Sequence, residues 1–159
     1  MTNEEVHELK ELLGNAVLAS YKEPQLIIGS NDEPRRGNEQ SIAFRIGIHL
    51  HELLKTTRYC ELDLDCEYNR YKDDPKMRPN GSRMRPDLLI HRRGDDENNI
   101  LAVEFAGWWK LPEEVQIDRD KLIELTDPMN AYQYRLGVLV KLEKEKPAYE
   151  YYRRGSAEQ

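Results

Sequence analysis

Two short apolar segments separated by a turn-rich stretch constrain the fold of this chain more than any other feature of its sequence. The apolar segments span 88–90 and 100–106, and the turn-rich stretch between them spans 93–99. Side chains two residues apart on a strand share a face, and opposed residues of a symmetric antiparallel hairpin have numbers that sum to a constant. The register that pairs Leu88 with Val103 also sets Asp87 opposite Glu104. The apolar pattern and the two acids therefore predict the same hairpin.

These two acids are placed to share a metal ion. Directly opposed residues have Cβ atoms about 4.5 to 5.5 Å apart, so the carboxylates of Asp87 and Glu104 could both reach one hard cation such as Mg²⁺. Glu104 also lies within an apolar segment, where a carboxylate is unfavourable unless a cation or a hydrogen-bond donor meets it. The alternative is that Asp87 begins a strand after Pro86 and that Glu104 pairs with an arginine, without any metal ion.

Length and composition indicate a single domain over 1–159, since 159 residues are enough for one core of ordinary size. Apolar residues make up 38% of the chain and charged residues 34%, and no apolar segment approaches the roughly 20 residues that a membrane-spanning helix needs. The segment 1–13 is acidic and amphipathic, unlike a secretory signal peptide. We therefore expect a cytoplasmic protein with no membrane partner.

Positive charge is concentrated immediately before and within the predicted hairpin. Although the net charge of the chain is −6, the segment 68–93 carries eight lysines and arginines against three aspartates. Lysine and arginine neutralise phosphate charge without reading a base sequence, so this segment predicts nucleic-acid binding, the alternative being a solvated basic loop. The residues predicted to bind nucleic acid are Arg70, Lys76, Arg83, Arg85, Arg92 and Arg93.

Hydrophobic periodicity predicts the other helices and strands. A capping box at Thr2 and Glu5 starts an N-terminal helix. Two further helices are predicted over 39–55 and 112–126. A strand is predicted over 60–68, with Cys60 and Cys66 on its core side. A buried strand is predicted over 136–140 and an edge strand over 147–153. A loop is predicted over 21–38 and a frayed terminus over 155–159. The elements follow the order α-β-β-β-α-β, which predicts an α/β domain.

This element order coincides with three short motifs. They are EYNR at 67–70, RPDLLIH at 85–91 and LAVE at 101–104. Together they make the chain resemble the PD-(D/E)XK nuclease superfamily, and within it the small prokaryotic members, over about 39–142. The resemblance implies a restriction-endonuclease-like core, in which a central mixed sheet is flanked by helices. It also implies hydrolysis of phosphodiester bonds of DNA with Mg²⁺ or Mn²⁺.

The resemblance also assigns roles to individual residues. Asp87 and Glu104 match the two metal-binding acids, and the backbone carbonyl of Phe105 would be a further ligand. Glu39 resembles an additional acid that some members direct at the same metal, although it could equally stabilise the N-terminus of its helix. The superfamily motif has a lysine two residues after the glutamate, beside the attacking water, whereas this chain has Ala106.

Alanine can neither carry charge nor donate a hydrogen bond, and losing such a group typically lowers the rate about 10²-fold to 10³-fold. The chain is therefore expected to be inactive or severely impaired as a nuclease. Three explanations for Ala106 remain open: an introduced change that silences the enzyme, replacement by another lysine, with Lys110 first and Lys76 second, or a natural non-catalytic relative.

Two further hypotheses concern the function and partners of the chain. One is a non-catalytic module that binds nucleic acid or protein on the same fold, and the other is a structural protein in which the acids only pair with arginines. DNA is preferred to RNA as the expected partner. Cleavage of both DNA strands would require two sites, and hence a homodimer or a larger defence or repair complex. Lys121 is predicted to pair with Asp118 or to reach phosphate, and Trp108 and Trp109 to pack against a helix or to stack on bases.

Overall fold

Six strands in the described part of the chain form one mixed sheet, and α-helices cover both of its faces. The computed structural model describes residues 1–30, 33–34, 37–70, 74–95 and 97–158. The elements in chain order are α1 (Asn3–Ser20), α2 (Pro24–Ile27), β1 (Gly29–Ser30), β2 (Glu33–Pro34), α3 (Glu39–Leu54), β3 (Asp63–Cys66), β4 (Leu88–His91), β5 (Leu101–Gly107), α4 (Pro112–Thr126), β6 (Leu136–Leu142), β7 (Ala148–Arg153) and β8 (Ser156–Ala157). The predicted α/β class with a central mixed sheet is confirmed.

The strand order of the sheet is β3-β4-β5-β6-β7-β8, and β1 and β2 form a separate two-stranded ladder. β5 and β6 are parallel, while the other neighbouring strands are antiparallel. α4 forms the crossover between β5 and β6, as a parallel pair requires. The predicted hairpin register is confirmed, since β4 and β5 pair Leu88 with Val103 and Ile90 with Leu101.

The two faces of the sheet pack against different helices. α1 and α3 pack together and cover the face that carries Val103 and Phe105. α4 covers the opposite face, which carries Ala102 and Ala106. Because side chains alternate along a strand, Glu104 lies between these two alanines on the α4 side. All seven residues of β5 are buried, so the carboxylate is enclosed beneath α4.

The helix boundaries follow capping signals in the sequence. The Glu5 N–H donates to Thr2 Oγ1 at 3.2 Å and the Thr2 N–H donates to Glu5 Oε2 at 2.6 Å, which confirms the predicted capping box of α1. α3 begins after Asn38, whose side-chain oxygen accepts a first-turn N–H at 3.0 Å. α4 has the predicted bounds, and Glu114 closes its first turn by accepting the Leu111 N–H at 2.9 Å.

β3 is shorter than the alternation over 60–68 predicts. Before it, the N–H groups of Cys60 and Leu62 each donate to a carbonyl three residues back, so the chain turns instead of extending. After it, Glu67 adopts a left-handed backbone with φ 52°, which ends the strand. The prediction that Cys60 and Cys66 are core residues is wrong, because both are exposed free thiols.

The C-terminal strands also differ from prediction. β7 lies between β6 and β8 and is therefore not the edge strand. Arg154 and Gly155, with φ values of 52° and 74°, form the turn into β8, whose residues were expected to fray. The segment predicted as a loop over 21–38 contains α2 and the β1-β2 ladder. In the described ranges, none of the helices has both the length and the apolar character that a membrane crossing requires.

Candidate functional site

Two main-chain N–H groups hold Asp87 in place, one at the end of β3 and one on β5. Its carbonyl accepts the Glu67 N–H at 3.1 Å, which joins the end of β3 to the start of β4. Its carboxylate Oδ2 accepts the Phe105 N–H at 2.7 Å. Burial raises the pKa of Asp87 to about 6, although the hydrogen bond from Phe105 and the charge of Lys121 oppose this rise. The carboxylate is thus poorly hydrated and lies next to the residue that follows Glu104.

Glu104 has one satisfied and one unsatisfied carboxylate oxygen. Its side chain is 1% exposed, and its Oε2 accepts a hydrogen bond from Lys121 Nζ at 2.9 Å. Its Oε1 is buried and has no hydrogen-bond partner among the described residues. Burial, followed by repulsion from Asp87, raises the pKa of Glu104 well above its ordinary value. A buried acceptor without a partner is costly, so this oxygen is a site where a cation would be favourable.

Lys121 and Asp118 reach the site from α4. They are three residues apart on one face of the helix, and Lys121 Nζ lies 3.0 Å from Asp118 Oδ1. Burial lowers the pKa of Lys121, but the charges of Glu104 and Asp118 outweigh this effect and raise it above its ordinary value. The side chain therefore keeps its positive charge at neutral pH.

Lys110 joins three oxygen atoms from three parts of the chain. Its Nζ lies 3.3 Å from Glu39 Oε2, 3.2 Å from the Phe105 carbonyl and 2.6 Å from Asp118 Oδ2. Glu39 Oε1 also accepts the Gly107 N–H at 3.4 Å. The predicted additional acid is therefore connected to the other acids through Lys110, and Lys110 contacts the carbonyl that was predicted as a metal ligand.

We call this group the acid–lysine cluster, and its members are Glu39, Asp87, Glu104, Lys110, Asp118 and Lys121. Its four carboxylates and two ammonium groups leave two uncompensated negative charges when every group is ionised. One divalent cation would balance that charge. The cluster brings together four of the predicted catalytic and metal-binding residues, Glu39, Asp87, Glu104 and Lys110, and Lys110 contacts the carbonyl of a fifth, Phe105.

Ala106 is 4% exposed and packs among residues that include Leu122 and Leu125 of α4. Sequence reasoning treated Lys121 only as a partner of Asp118 or of phosphate, and so missed its contact with Glu104. A signal was present, because Asp118 falls at helical spacing between Val115 and Leu122 on the inward face of α4. That spacing predicts a buried acid, which in turn calls for a cation nearby.

The fit of the cluster to a metal ion depends on few ligands. No group of three or more His, Cys, Asp or Glu side chains within the described ranges is arranged to hold a metal. The available donors are instead Asp87, Glu104 and the Phe105 carbonyl, and hard oxygen donors of this kind suit Mg²⁺. The unpartnered Glu104 Oε1 supports this assignment. A cation that uses the Phe105 carbonyl would require Lys110 to move away from it.

Three of the six arginines and lysines predicted to bind nucleic acid line one groove beside this cluster. The groove has a volume of about 680 Å³, and we call it the arginine groove; its lining residues are Glu67, Asn69, Arg70, Pro75, Arg83 and Arg85. Arg85 lies 3.4 Å from Glu67, whose N–H donates to the Asp87 carbonyl. The groove therefore lies next to the backbone of Asp87.

The other three basic residues lie elsewhere. Lys76 is 2% exposed, and its ammonium donates to the Arg70 carbonyl. Arg93 pairs with Asp63 and Asp65. Arg92 is exposed in the connection after β4. These three residues are not among those that line the arginine groove, and Lys72, which contributed to the charge of the basic segment, lies outside the described residues.

The chain was also compared with known proteins. No known protein family, curated protein or solved structure matches it. The resemblance to the PD-(D/E)XK superfamily therefore rests on this chain's own motifs, element order and clustered residues.

Proposed function

We propose that this chain is a PD-(D/E)XK-type nuclease with a restriction-endonuclease-like core, which hydrolyses phosphodiester bonds of DNA with Mg²⁺ or Mn²⁺. In this proposal Lys121 performs the role of the lysine that the motif has at the position of Ala106. The observation that carries it is the contact of 2.9 Å between the Lys121 ammonium and Glu104, inside a cluster that also holds Asp87.

The chemistry of the cluster suits phosphodiester hydrolysis. A metal ion bound by Asp87 and Glu104 would supply polarisation of the scissile phosphate and a more acidic bound water. Lys121 keeps its proton, because nearby carboxylates raise its pKa. It can therefore donate hydrogen bonds to the nucleophile and offset negative charge that develops at phosphorus. Because the side chain is 20% exposed, part of it can face a substrate.

Lys110 has a different role in this proposal. Its ammonium contacts the Phe105 carbonyl and the carboxylates of Glu39 and Asp118, which are places where a second positive charge is favourable. We infer that Lys110 neutralises the cluster when no metal is bound and turns toward Glu39 and Asp118 when one binds. Lys121 is the better replacement for the missing lysine, since its ammonium pairs directly with Glu104, whereas that of Lys110 contacts Glu39, Asp118 and the Phe105 carbonyl.

The sheet topology gives independent support. The resemblance implies a mixed sheet flanked by helices, with the first acid on the second strand of the core and the second acid on the third. Here Asp87 precedes β4 and Glu104 lies on β5, which is antiparallel to β4 and parallel to β6.

A non-catalytic nucleic-acid-binding module is the second candidate. It is favoured by Ala106 at the lysine position and by an arginine groove whose charge does not depend on a metal. The two candidates share a fold and differ in whether the cluster performs chemistry.

The test measures metal binding and cleavage on the same preparation. Calorimetric titration with Mn²⁺ should show binding to the wild type and none to Asp87→Ala. With Mn²⁺ or Mg²⁺, the wild type should cut plasmid or single-stranded DNA, and Lys121→Ala should lose this activity. Lys55→Ala is the matched control, because it removes a lysine from an exposed pair with Glu52, away from the cluster. Metal binding without any cleavage would leave the non-catalytic module as the function, and no metal binding would reject the nuclease.

A further inference from the structure

A second cavity adjoins the acid–lysine cluster on the side of Glu39 and Lys110. It has a volume of about 360 Å³, and we call it the Trp109 pocket; its lining residues are Gly37, Asn38, Glu39, Gln40, Trp109, Lys110 and Glu114. This volume is at the small end of the range for ligand-binding cavities. It would accommodate a group of about the size of one nucleoside.

The Trp109 pocket and the arginine groove adjoin each other next to the cluster. The pocket contains Glu39 and Lys110 of the cluster, while the groove contains Glu67, whose N–H donates to the Asp87 carbonyl at 3.1 Å. Gln40 of the pocket donates to Glu67 Oε1 of the groove at 2.7 Å. A chain-like ligand that crosses the cluster would therefore touch both cavities.

The two cavities differ in charge. The arginine groove has three arginines and one glutamate among its lining residues. The Trp109 pocket has two glutamates, and its one described cation, Lys110, directs its ammonium at Glu39, Asp118 and the Phe105 carbonyl. The charges of the described lining residues therefore favour phosphate groups in the groove and an uncharged group in the pocket.

The polar side chains of the pocket offer both a hydrogen-bond donor and an acceptor, as an edge of a nucleobase requires. Asn38 uses its side-chain oxygen to accept the Ser41 N–H, which leaves its amide nitrogen as a donor. Gln40 uses its amide nitrogen on Glu67, which leaves its amide oxygen as an acceptor. Single-stranded nucleic acids are recognised by stacking of bases on aromatic rings together with hydrogen bonds to base edges.

The indole of Trp109 is held in place by two glycines. A Cβ atom on Gly37 would lie 2.7 Å from an indole carbon, and one on Gly107 would lie 2.3 Å from another, so the ring occupies space that any side chain would fill. Trp108 also contacts the ring edge-on, with 5.5 Å between centroids. The ring is thus fixed at the pocket before any ligand binds, which reduces the entropy lost on binding.

We propose that the substrate strand is single-stranded DNA, with one unpaired base in the Trp109 pocket and neighbouring phosphates in the arginine groove. The assignment rests on the proposed nuclease function, because it names the substrate of the same site. A base in a duplex would have to leave its partner and its stack to enter the pocket, which weakens duplex binding.

The experiment measures binding in EDTA, so that it does not depend on cleavage. Fluorescence anisotropy should show that a labelled oligothymidylate binds at least about tenfold tighter than a blunt hairpin duplex of matched length. Trp109→Leu should lower affinity for the single strand about tenfold and leave duplex affinity unchanged, because leucine keeps apolar volume without a ring. Phe44→Leu is the matched control and should change neither, because it removes an exposed aromatic ring that lines neither cavity, while Arg83→Ala should weaken both because it removes a phosphate contact.

A second measurement covers the case in which Trp109→Leu does not fold. The chain has two tryptophans, so Trp108→Phe leaves Trp109 as the sole indole emitter. Unlabelled oligothymidylate should then quench its emission, and the hairpin duplex should not. Equal affinity for single strand and duplex, or an unchanged Trp109 emission, would overturn the assignment. If either of these results is found and duplex DNA is still cut, the nuclease proposal stands and the single-strand assignment fails. If the single strand binds as expected but no metal-dependent cleavage occurs, the nuclease proposal fails and the assignment of the binding site stands.

Discussion

Lys121 on α4 and Glu104 on β5 form a buried ion pair with 2.9 Å between Nζ and Oε2. Glu104 is followed two residues later by Ala106, so β5 itself supplies no ammonium group on this face. The facing helix supplies it instead. Because α4 is the crossover between β5 and β6, its inward residues necessarily lie over the strand that carries Glu104.

Moving the lysine from position 121 to position 106 tests the role of the ion pair between Lys121 and Glu104 directly. Lys121→Ala should lower the metal-dependent cleavage rate about 10²-fold to 10³-fold. Adding Ala106→Lys to that variant should restore part of the rate, since position 106 shares a face of β5 with Glu104. Plasmid nicking in Mn²⁺ provides the measurement. Cleavage by Lys121→Ala at the wild-type rate would show that the ion pair is structural.

Asp87→Asn should stabilise the metal-free protein at pH 7 by about 1 kcal/mol. Burial raises the pKa of Asp87 to about 6, so holding it ionised at pH 7 is unfavourable, whereas asparagine keeps an acceptor for the Phe105 N–H without the charge. The advantage should be present above about pH 6 and should shrink as the pH falls toward 3.8, because wild-type Asp87 then takes up a proton.

The same variant should also lose stabilisation by metal. Mn²⁺ at about 100 times its dissociation constant should add roughly 2.7 kcal/mol to the wild type, and close to nothing to Asp87→Asn. Thermal denaturation with and without Mn²⁺, across this pH range, measures both effects. If Asp87→Asn is less stable than the wild type at every pH, the buried charge of Asp87 does not destabilise the metal-free protein.

The hairpin at the site was predictable because it is a local structure. The apolar residues of β4 and β5 admit one register, and that register determines which residue faces Asp87. The bounds of α4 were also predictable, since Pro112 begins it and the apolar spacing runs to Thr126. By contrast, β3 was predicted too long because alternation alone does not reveal the turns that end it.

The residues brought together from distant parts of the chain were harder to predict. The sequence shows that Asp118 and Lys121 share a face of α4, but not how far that helix is rotated or shifted over β5. It also shows a basic segment, but not that Lys76 is buried against Arg70 while Arg83 lines a groove. Such outcomes depend on tertiary packing, which composition and spacing do not contain.

Acid should weaken the attachment of α4 to the sheet through Glu150. Arg119 of α4 donates two hydrogen bonds of 2.8 Å to this carboxylate on β7, and Lys141 also pairs with it. The hydrogen bond from Arg119, against the opposing effect of burial, lowers the pKa of Glu150 from 4.5 to about 2. Because the folded-state pKa is lowered, the stabilisation is present above pH 4.5 and is lost as the pH falls toward 2.

Glu150→Gln should therefore reduce the free energy of unfolding by about 1 kcal/mol at pH 7, since the group is partly exposed and screened by solvent. The difference from the wild type should disappear near pH 2. Urea denaturation at a series of pH values checks this expectation, and a difference that stays constant with pH would contradict it.

Gly107→Ala should displace the indole of Trp109 and damage the pocket beside the cluster. The added Cβ would lie 2.3 to 2.5 Å from three ring carbons, so a rigid side chain has to move. Overpacking of this kind typically costs about 1 to 3 kcal/mol. Gly14→Ala is the matched control, because nothing lies within 4 Å of its Cβ and it occupies the interior of α1, where alanine should stabilise by about 0.5 to 1 kcal/mol. Thermal denaturation is measured on both variants, and quenching of Trp109 emission by oligothymidylate is measured on both with Trp108→Phe added, so that Trp109 is the sole indole emitter. Retained quenching in a destabilised Gly107→Ala protein would show that base binding does not depend on the position of this ring.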